Sequence, residues 1–139
     1  MITRLLFALA RLAFGAKFAK DGYENLRDRD EMVAYADSVG VPAPELLVPA
    51  ASGLLLVGGV LVAAGLAPVL GVVAIATFML GVTPQMHDFW NRDDEESRTE
   101  ERDAFLRNAS FLGAAIAFAV AARERRAGAS DEATADDAA

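Results

Sequence analysis

One arginine lies inside an apolar segment, and this residue is the first candidate for chemistry. Arg11 falls within residues 1–19, which are otherwise almost free of charge. Ionisable groups in such segments are costly to bury and usually functional. A guanidinium forks onto oxygen acceptors, so Arg11 and Gly15, one helical turn later, could bind an anionic or carbonyl-bearing ligand such as a quinone headgroup. The alternative is structural: Arg11 pairs with backbone carbonyls or a carboxylate and fixes helix packing.

The single histidine follows a long uncharged stretch. His87 comes directly after residues 46–86, which contain no charged side chain. An imidazole titrates near neutral pH, which suits a proton donor or acceptor beside a redox group. If successive helices alternate in direction, this end of the stretch shares a membrane face with other ionisable residues. We expect them to converge with His87: Lys17, Glu45, Asp88 and Arg107.

Two neighbours of the histidine are further candidates for ligand binding. Gln85 ends a stripe with Thr77 and Gly81, which lines the bundle interior or bonds to a neighbouring helix. Trp90 could contact the same ligand. Together with Phe89 it equally fits an aromatic belt at a membrane boundary.

The distribution of charge predicts the elements that position these residues. The 139-residue chain has 13 basic and 20 acidic side chains, although 54% of it is hydrophobic. Only four of the charges fall in 1–19, 46–86 and 104–122: Arg4, Arg11, Lys17 and Arg107. This segregation predicts an integral membrane protein with charged loops.

The pattern predicts an all-α, four-span membrane bundle within residues 1–126. A spanning helix needs about 20 residues, so the length of 46–86 predicts two spans with a break at Gly65–Pro68. The apolar periodicity of Met32, Tyr35, Ala36 and Val39 predicts a short amphipathic helix on the membrane surface, with Asp30 as its N-cap. The predicted segments are spans at about 2–22, 46–66, 68–86 and 104–122, the interfacial helix at about 30–39, and a disordered acidic tail at 127–139.

Close helix packing is expected at two stripes of small residues. These are Gly59 with Ala63, and Ala109 with Gly113 and Ala117.

The first span is not expected to be a cleaved signal peptide, because Arg11 interrupts the apolar region that such a peptide needs. The basic residues of the loops and termini are too evenly divided to fix the orientation in the membrane.

Composition excludes several functional classes. The chain has no cysteine and one histidine, so thiol chemistry, iron–sulfur clusters and the usual zinc sites are not expected, and no metal site is predicted. Its net charge of −7 makes it a poor partner for nucleic acid. The two lysines against eleven arginines, with many acids, are typical of a salt-adapted (halophilic) source.

Several short motifs resemble the DoxX family of small membrane proteins. They are Arg11-Leu-Ala-Phe-Gly15, Gly22-Tyr-Glu-Asn-Leu26, Gly40-Val-Pro-Ala-Pro and Met86-His-Asp-Phe-Trp90. The resemblance implies a four-span bundle and a redox association, since named relatives include membrane subunits of a thiosulfate:quinone oxidoreductase. It also implies roles for Arg11, Gly15 and His87. Asn25 stands where the family often has lysine.

The leading hypothesis is therefore a subunit of a quinone-linked oxidoreductase in the cell membrane. Arg11 and His87 would position the quinone and move its proton. A partner redox protein would supply the electrons. A homo-oligomer of this chain is the alternative to such a partner. The alternative is a non-enzymatic scaffold that docks a complex through the 30–39 helix and the charged, solvated loop predicted at 91–103. A small-solute transporter is less favoured, because the sequence has no pair of broken helices and no buried carboxylate.

Overall fold

The computed structural model describes the backbone of residues 1–136 and the side chains of residues 1–130. This part of the chain is all-helical, and no strand occurs in it. The helices are α1 (Ile2–Arg27), α2 (Arg29–Ser38), α3 (Pro44–Ala64), α4 (Pro68–Met86) and α5 (Glu95–Asp136), with one 3₁₀ turn at Phe89–Asn91.

The uncharged stretch forms the predicted helical hairpin. α3 ends at Gly65, whose φ of 72° lies in the left-handed region that glycine adopts without strain. Pro68 then begins α4, where its fixed φ and missing N–H suit the first turn. The 21 residues of α3 extend about 31 Å, close to the thickness of a bilayer's hydrocarbon core.

Three helices are long and apolar enough to cross a membrane. Within the described residues these are Pro44–Ala64, Pro68–Asn91 and Glu95–Ser130. The first predicted span is not among them, because residues 2–19, the most apolar part of α1, already hold three basic residues. The chain is therefore a helical protein with three candidate spans, and the fourth span stays a prediction.

The long helices pack around one apolar core. α1 packs on α3, α3 on α4 and α4 on α5. α5 returns to α1 through phenylalanines: the rings of Phe14 and Phe118 lie 5.0 Å apart, and those of Phe18 and Phe111 5.7 Å. The buried cluster inside consists of Phe18, Leu55, Val62, Val72, Ile75, Met79 and Ala115.

Only one of the two stripes of small residues packs closely against another helix. Gly59 packs against α1, where a Cβ on it would lie 2.6 Å from the carbonyl oxygen of Gly15, so this prediction of close packing is confirmed. The prediction for the α5 stripe is wrong: Ala109, Gly113 and Ala117 are exposed, and nothing lies within 4 Å of a Cβ on Gly113. α5 turns its phenylalanine face inward instead.

The short helix predicted at about 30–39 corresponds to α2, which has a different start. It begins after Asp28 rather than Asp30, and Gly40, with φ of 80°, follows its end. Ala36 is buried at 5% exposure, whereas Tyr35 and Val39 remain 39% and 37% exposed. The predicted apolar face is thus only partly covered.

α5 is longer at both ends than the predicted fourth span. It begins at Glu95, inside a segment interpreted as a solvated loop, and continues to Asp136, through the first part of the predicted disordered tail. Residues 137–139 lie outside the described residues. Alanine, glutamate and arginine all have high helix propensity, which explains a helix without an apolar face at its ends.

Candidate functional site

A cleft lies between α2 and the outer face of the α3–α4 hairpin. Its volume is about 420 Å³, within the range of small-molecule sites. Most of the lining is apolar, including Met32, Val48, Phe78 and Met86. The polar side chains of the lining are Asn25, Ser52, Thr77 and Gln85. An apolar cleft with a few polar groups suits a ligand with a largely apolar body.

The polar groups of the cleft retain hydrogen-bonding capacity. Gln85 donates from Nε2 to the carbonyl oxygen of Gly81 at 2.9 Å, which leaves its Oε1 as an acceptor. Thr77 donates from Oγ1 to the carbonyl oxygen of Val73 at 2.8 Å. The Asn25 amide has no side-chain hydrogen bond within the described residues and can donate as well as accept. A ligand oxygen could therefore find both kinds of partner.

His87 belongs to a separate cluster between the end of α4 and the start of α5. Its Nδ1 lies 2.8 Å from Oε2 of Glu101, and both side chains are about one-quarter exposed, at 26% and 24%. Arg92 joins them, with a terminal nitrogen 3.2 Å from Asp88 and 3.6 Å from Glu101. An imidazole paired with a carboxylate has the arrangement that exchanges and stabilises a proton.

The expected convergence around His87 is only partly present. Asp88 takes part through Arg92. Lys17 instead pairs with Asp21 on its own helix, because the two lie on one face at i, i+4. Glu45 and Arg107 are exposed and have no side-chain partner in the described part of the chain. The structure therefore shows no contact between these three residues and the His87 cluster within the described part of the chain.

Trp90 lies in an aromatic cluster rather than in the cleft. Its ring centroid is 5.1 Å from that of Phe89 and 6.1 Å from that of Phe105. The side chain is half-exposed, at 52%. This surface position suits an aromatic belt better than ligand contact.

Arg11 lies at the opposite end of the hairpin from His87. A Cβ placed on Gly65 would be 2.7 Å from Nη2 of Arg11, so the guanidinium covers the α3–α4 turn. His87 follows the far end of the 19-residue α4. The length of that helix separates the two side chains by about 27 Å. One quinone headgroup cannot contact both residues, so the structure does not bring Arg11 and His87 together in the single site that their types predict.

Gly15 has no room for a ligand. A Cβ at this position would lie 2.5 Å from the carbonyl oxygen of Gly59 on α3. The residue is buried by that helix, so its role is to let two backbones approach. Of the predicted ligand-binding residues, only Gln85 lines the cleft.

An ion pair lies at the α1–α2 corner, and a helix cap lies at the start of α5. Arg27 donates to Asp28 at 3.0 and 2.8 Å, which lowers the pKa of the aspartate and raises the pKa of the arginine at the α1–α2 corner. Asp94 accepts the backbone N–H of Ser97 at 2.8 Å, and this bond lowers the pKa of Asp94. Asp94 thereby caps the start of α5.

Sequence reasoning missed most partners in both places. Ser52 and Glu101 carry no local signal, because one lies in an uncharged run and the other in a charged run. Asn25 stands out in the sequence only as a departure from a family pattern. Each becomes a candidate through the packing of distant helices.

Fold and site together define a multi-pass helical membrane protein with a cleft on its central hairpin. The comparison with family models matches residues 6–88 to the DoxX model, which is more than half of the chain. The chain belongs to the DoxX family. The match covers α1 to α4 and His87 and ends before α5. Among curated proteins and among solved structures, no significant match is found.

Proposed function

We propose that this protein is a four-span component of a quinone-linked oxidoreductase in the cell membrane, and that the quinone headgroup occupies the α2–α3–α4 cleft. The cleft carries the proposal: it is about 420 Å³ in volume, mainly apolar, and open at exposed residues of the hairpin such as Leu54 and Gly81. A lipid-soluble ligand can enter such a cleft from the bilayer and leave its apolar tail in lipid.

The polar groups of the cleft suit both oxidation states of a quinone. A quinone oxygen accepts hydrogen bonds, and the Asn25 amide can donate one. A quinol hydroxyl donates, and Oε1 of Gln85 and the Thr77 oxygen can accept. These contacts replace the roles first predicted for Arg11, Gly15 and Trp90.

His87 is proposed as the proton-exchanging group. Reduction of a quinone to a quinol takes up two electrons and two protons. The electrons would come from a partner redox protein. The protons would pass between solvent and the cleft through the His87–Glu101 pair. His87 directly follows Met86, which lines the cleft.

Quinone retention by the purified full-length protein tests this proposal. Gln85→Leu and Asn25→Leu should each weaken retention about tenfold, which is about 1.4 kcal/mol of binding free energy. Asn91→Leu is the matched control, because Asn91 is an exposed amide outside the cleft. Bound quinone is extracted and quantified per mole of protein. Equal retention in all variants would contradict the cleft as the binding site.

A scaffold role is the second candidate, favoured by the exposed Tyr35 and Val39 on α2. In that case a partner protein co-purifies with the chain through this helix. A partner retained by Gln85→Leu and Asn25→Leu but lost in Tyr35→Ser with Val39→Ser would favour the scaffold. Quinone loss without partner loss would favour the redox role.

A further inference from the structure

The end of the bundle that holds the α3–α4 turn carries arginines and almost no acid. We call it the arginine end. Among residues 1–16, 65–68 and 117–130 the only acidic residue is Glu124. The basic residues there are Arg4, Arg11, Arg123, Arg125 and Arg126. At the opposite end, in 20–45 and 87–107, acids outnumber basic residues.

One of these arginines lies over an aromatic ring of α1, and two others lie on the same face of α1 as that ring. The guanidinium carbon of Arg125 lies 4.1 Å from the centroid of Phe7, which ties α5 to α1 at that level. Phe7 is three residues after Arg4 and four before Arg11, so both lie within about one helical turn of it. Arg4 and Arg11, seven residues apart, share one face of α1.

These guanidinium groups have no acidic partner. Arg4, Arg11 and Arg125 form no ion pair or side-chain hydrogen bond within residues 1–130, and Nε of Arg11 is buried without a partner. A guanidinium has five N–H donors whose geometry matches phosphate oxygens. Three neighbouring arginines without an acidic partner can therefore donate to the oxygens of one phosphate group.

The depth of the cluster identifies the kind of anion. α3 matches the hydrocarbon thickness, so the turn at Gly65–Pro68 reaches the level of the lipid headgroups at one face. Arg11 covers this turn, and long arginine side chains extend toward headgroups from within the membrane. Phosphates of anionic lipids attract basic clusters at this depth.

We infer that Arg4, Arg11 and Arg125 bind the headgroup phosphate of an anionic phospholipid at the arginine end. The lipid is a structural partner that holds α1 and α5 against the hairpin. This site is independent of the cleft, which lies toward the other end, so either proposal can fail without the other.

The thermal unfolding of delipidated full-length protein in a non-ionic detergent tests the inference. Dioleoylphosphatidylglycerol added to the micelles should raise the unfolding temperature by several degrees, because a ligand of the folded state stabilises it. Dioleoylphosphatidylcholine, which has no net charge, should raise it less. High salt should reduce the difference, since the attraction is electrostatic. Inorganic phosphate at matched ionic strength should not reproduce the phosphatidylglycerol effect.

Variants assign the effect to the arginines. Arg11→Gln should remove most of the phosphatidylglycerol shift, and Arg11→Lys should keep part of it because the charge remains. Arg107→Gln is the matched control: Arg107 is exposed, unpartnered in the described residues and far from the turn, so its variant should respond like the wild type. If Arg11→Gln does not fold, the exposed pair Arg4→Gln with Arg125→Gln gives the same comparison.

Three results would overturn the inference. One is an equal shift with phosphatidylglycerol and phosphatidylcholine. Another is an unchanged phosphatidylglycerol shift in Arg11→Gln and in the double variant, which would mean that Arg11 only serves the carboxyl end of α3. The third is a full shift with inorganic phosphate, which would indicate a site for a free anion instead of a lipid.

Discussion

α1 and α5 contact the central hairpin in different ways. α1 approaches α3 with its backbone: Cβ atoms on Gly22 and Gly59 would lie 2.7 Å and 2.6 Å from carbonyl oxygens of the other helix. α5 approaches α4 with side chains, among them Asn108, whose Nδ2 donates to Oγ1 of Thr83 at 3.2 Å. The first interface depends on side chains being absent, and the second on which side chains are present.

This difference teaches where the fold can tolerate change. Lipid is as apolar as a protein core, so membrane helices associate through close packing and hydrogen bonds. A backbone contact offers no rotamer that can adjust to an added atom. A side-chain contact can adjust its rotamers, and α5, which lies outside the family match, uses that kind.

The largest expected effect is at the α1–α3 interface. Gly59→Ala should destabilise the protein by about 3 kcal/mol, because the added Cβ would meet the backbone of Gly15 and Ala19. Gly113→Ala is the matched change on α5 and should be neutral or stabilising by about 0.5–1 kcal/mol, as Gly113 faces open space. Denaturant unfolding in detergent, followed by circular dichroism, measures both. Similar losses in the two variants would remove the distinction between the interfaces.

A smaller effect is expected at the α4–α5 hydrogen bond. Asn108→Ala and Thr83→Ala should show a coupling free energy of about 0.6 kcal/mol in a double-mutant cycle, which is typical between membrane helices. The same unfolding measurement on the two single variants and the double variant gives this value. Strictly additive losses would mean that the bond at 3.2 Å contributes nothing.

The smallest effect is expected at the capped start of α5. Asp94→Ala should slightly shorten the helix, whereas Asp94→Asn should preserve it, because both Asp and Asn accept the N–H of Ser97. The lowered pKa of Asp94 means that the cap contributes above the ordinary aspartate pKa and is lost as the pH falls through the lowered value. Helical circular dichroism of the wild type and both variants between neutral and acidic pH measures this. An acid-induced loss identical in Asp94→Ala and the wild type would contradict the assignment.

Local signals predicted the elements well where one residue type decides the conformation. Gly65 and Pro68 mark the hairpin break, because positive φ and a missing N–H are properties of single residues. The start of α5 was missed: residues 95–103 are charged, and charge alone does not separate a loop from a solvated helix. The first span was predicted from residues 2–22, whose basic residues leave it outside the three candidate spans.

The candidate site was predicted far less well, because its contacts join distant residues. The stripe of Thr77, Gly81 and Gln85 neither lines the bundle interior nor bonds to a neighbouring helix: its residues are exposed, and Thr77 and Gln85 donate to carbonyl oxygens of α4 itself. Its place in the cleft depends on how α2 folds over the hairpin. His87 was recognised by its type, yet its partner Glu101 comes from another helix. Arg11 was recognised too, and only the packing of α1 on α3 places it at the turn.

By itself, the sequence determined that this chain is helical and membrane-embedded. The separation of charged from apolar segments and the helical spacing of apolar residues can both be read along the chain. The sequence also determined the hairpin break and the short helix that follows α1. The tertiary structure alone decided that Arg11 and His87 lie at opposite ends and that Gly15 is closed to ligands. The physical reason is that packing between distant segments decides which neighbour each helix face contacts. One periodic pattern of apolar residues is compatible with several such neighbours.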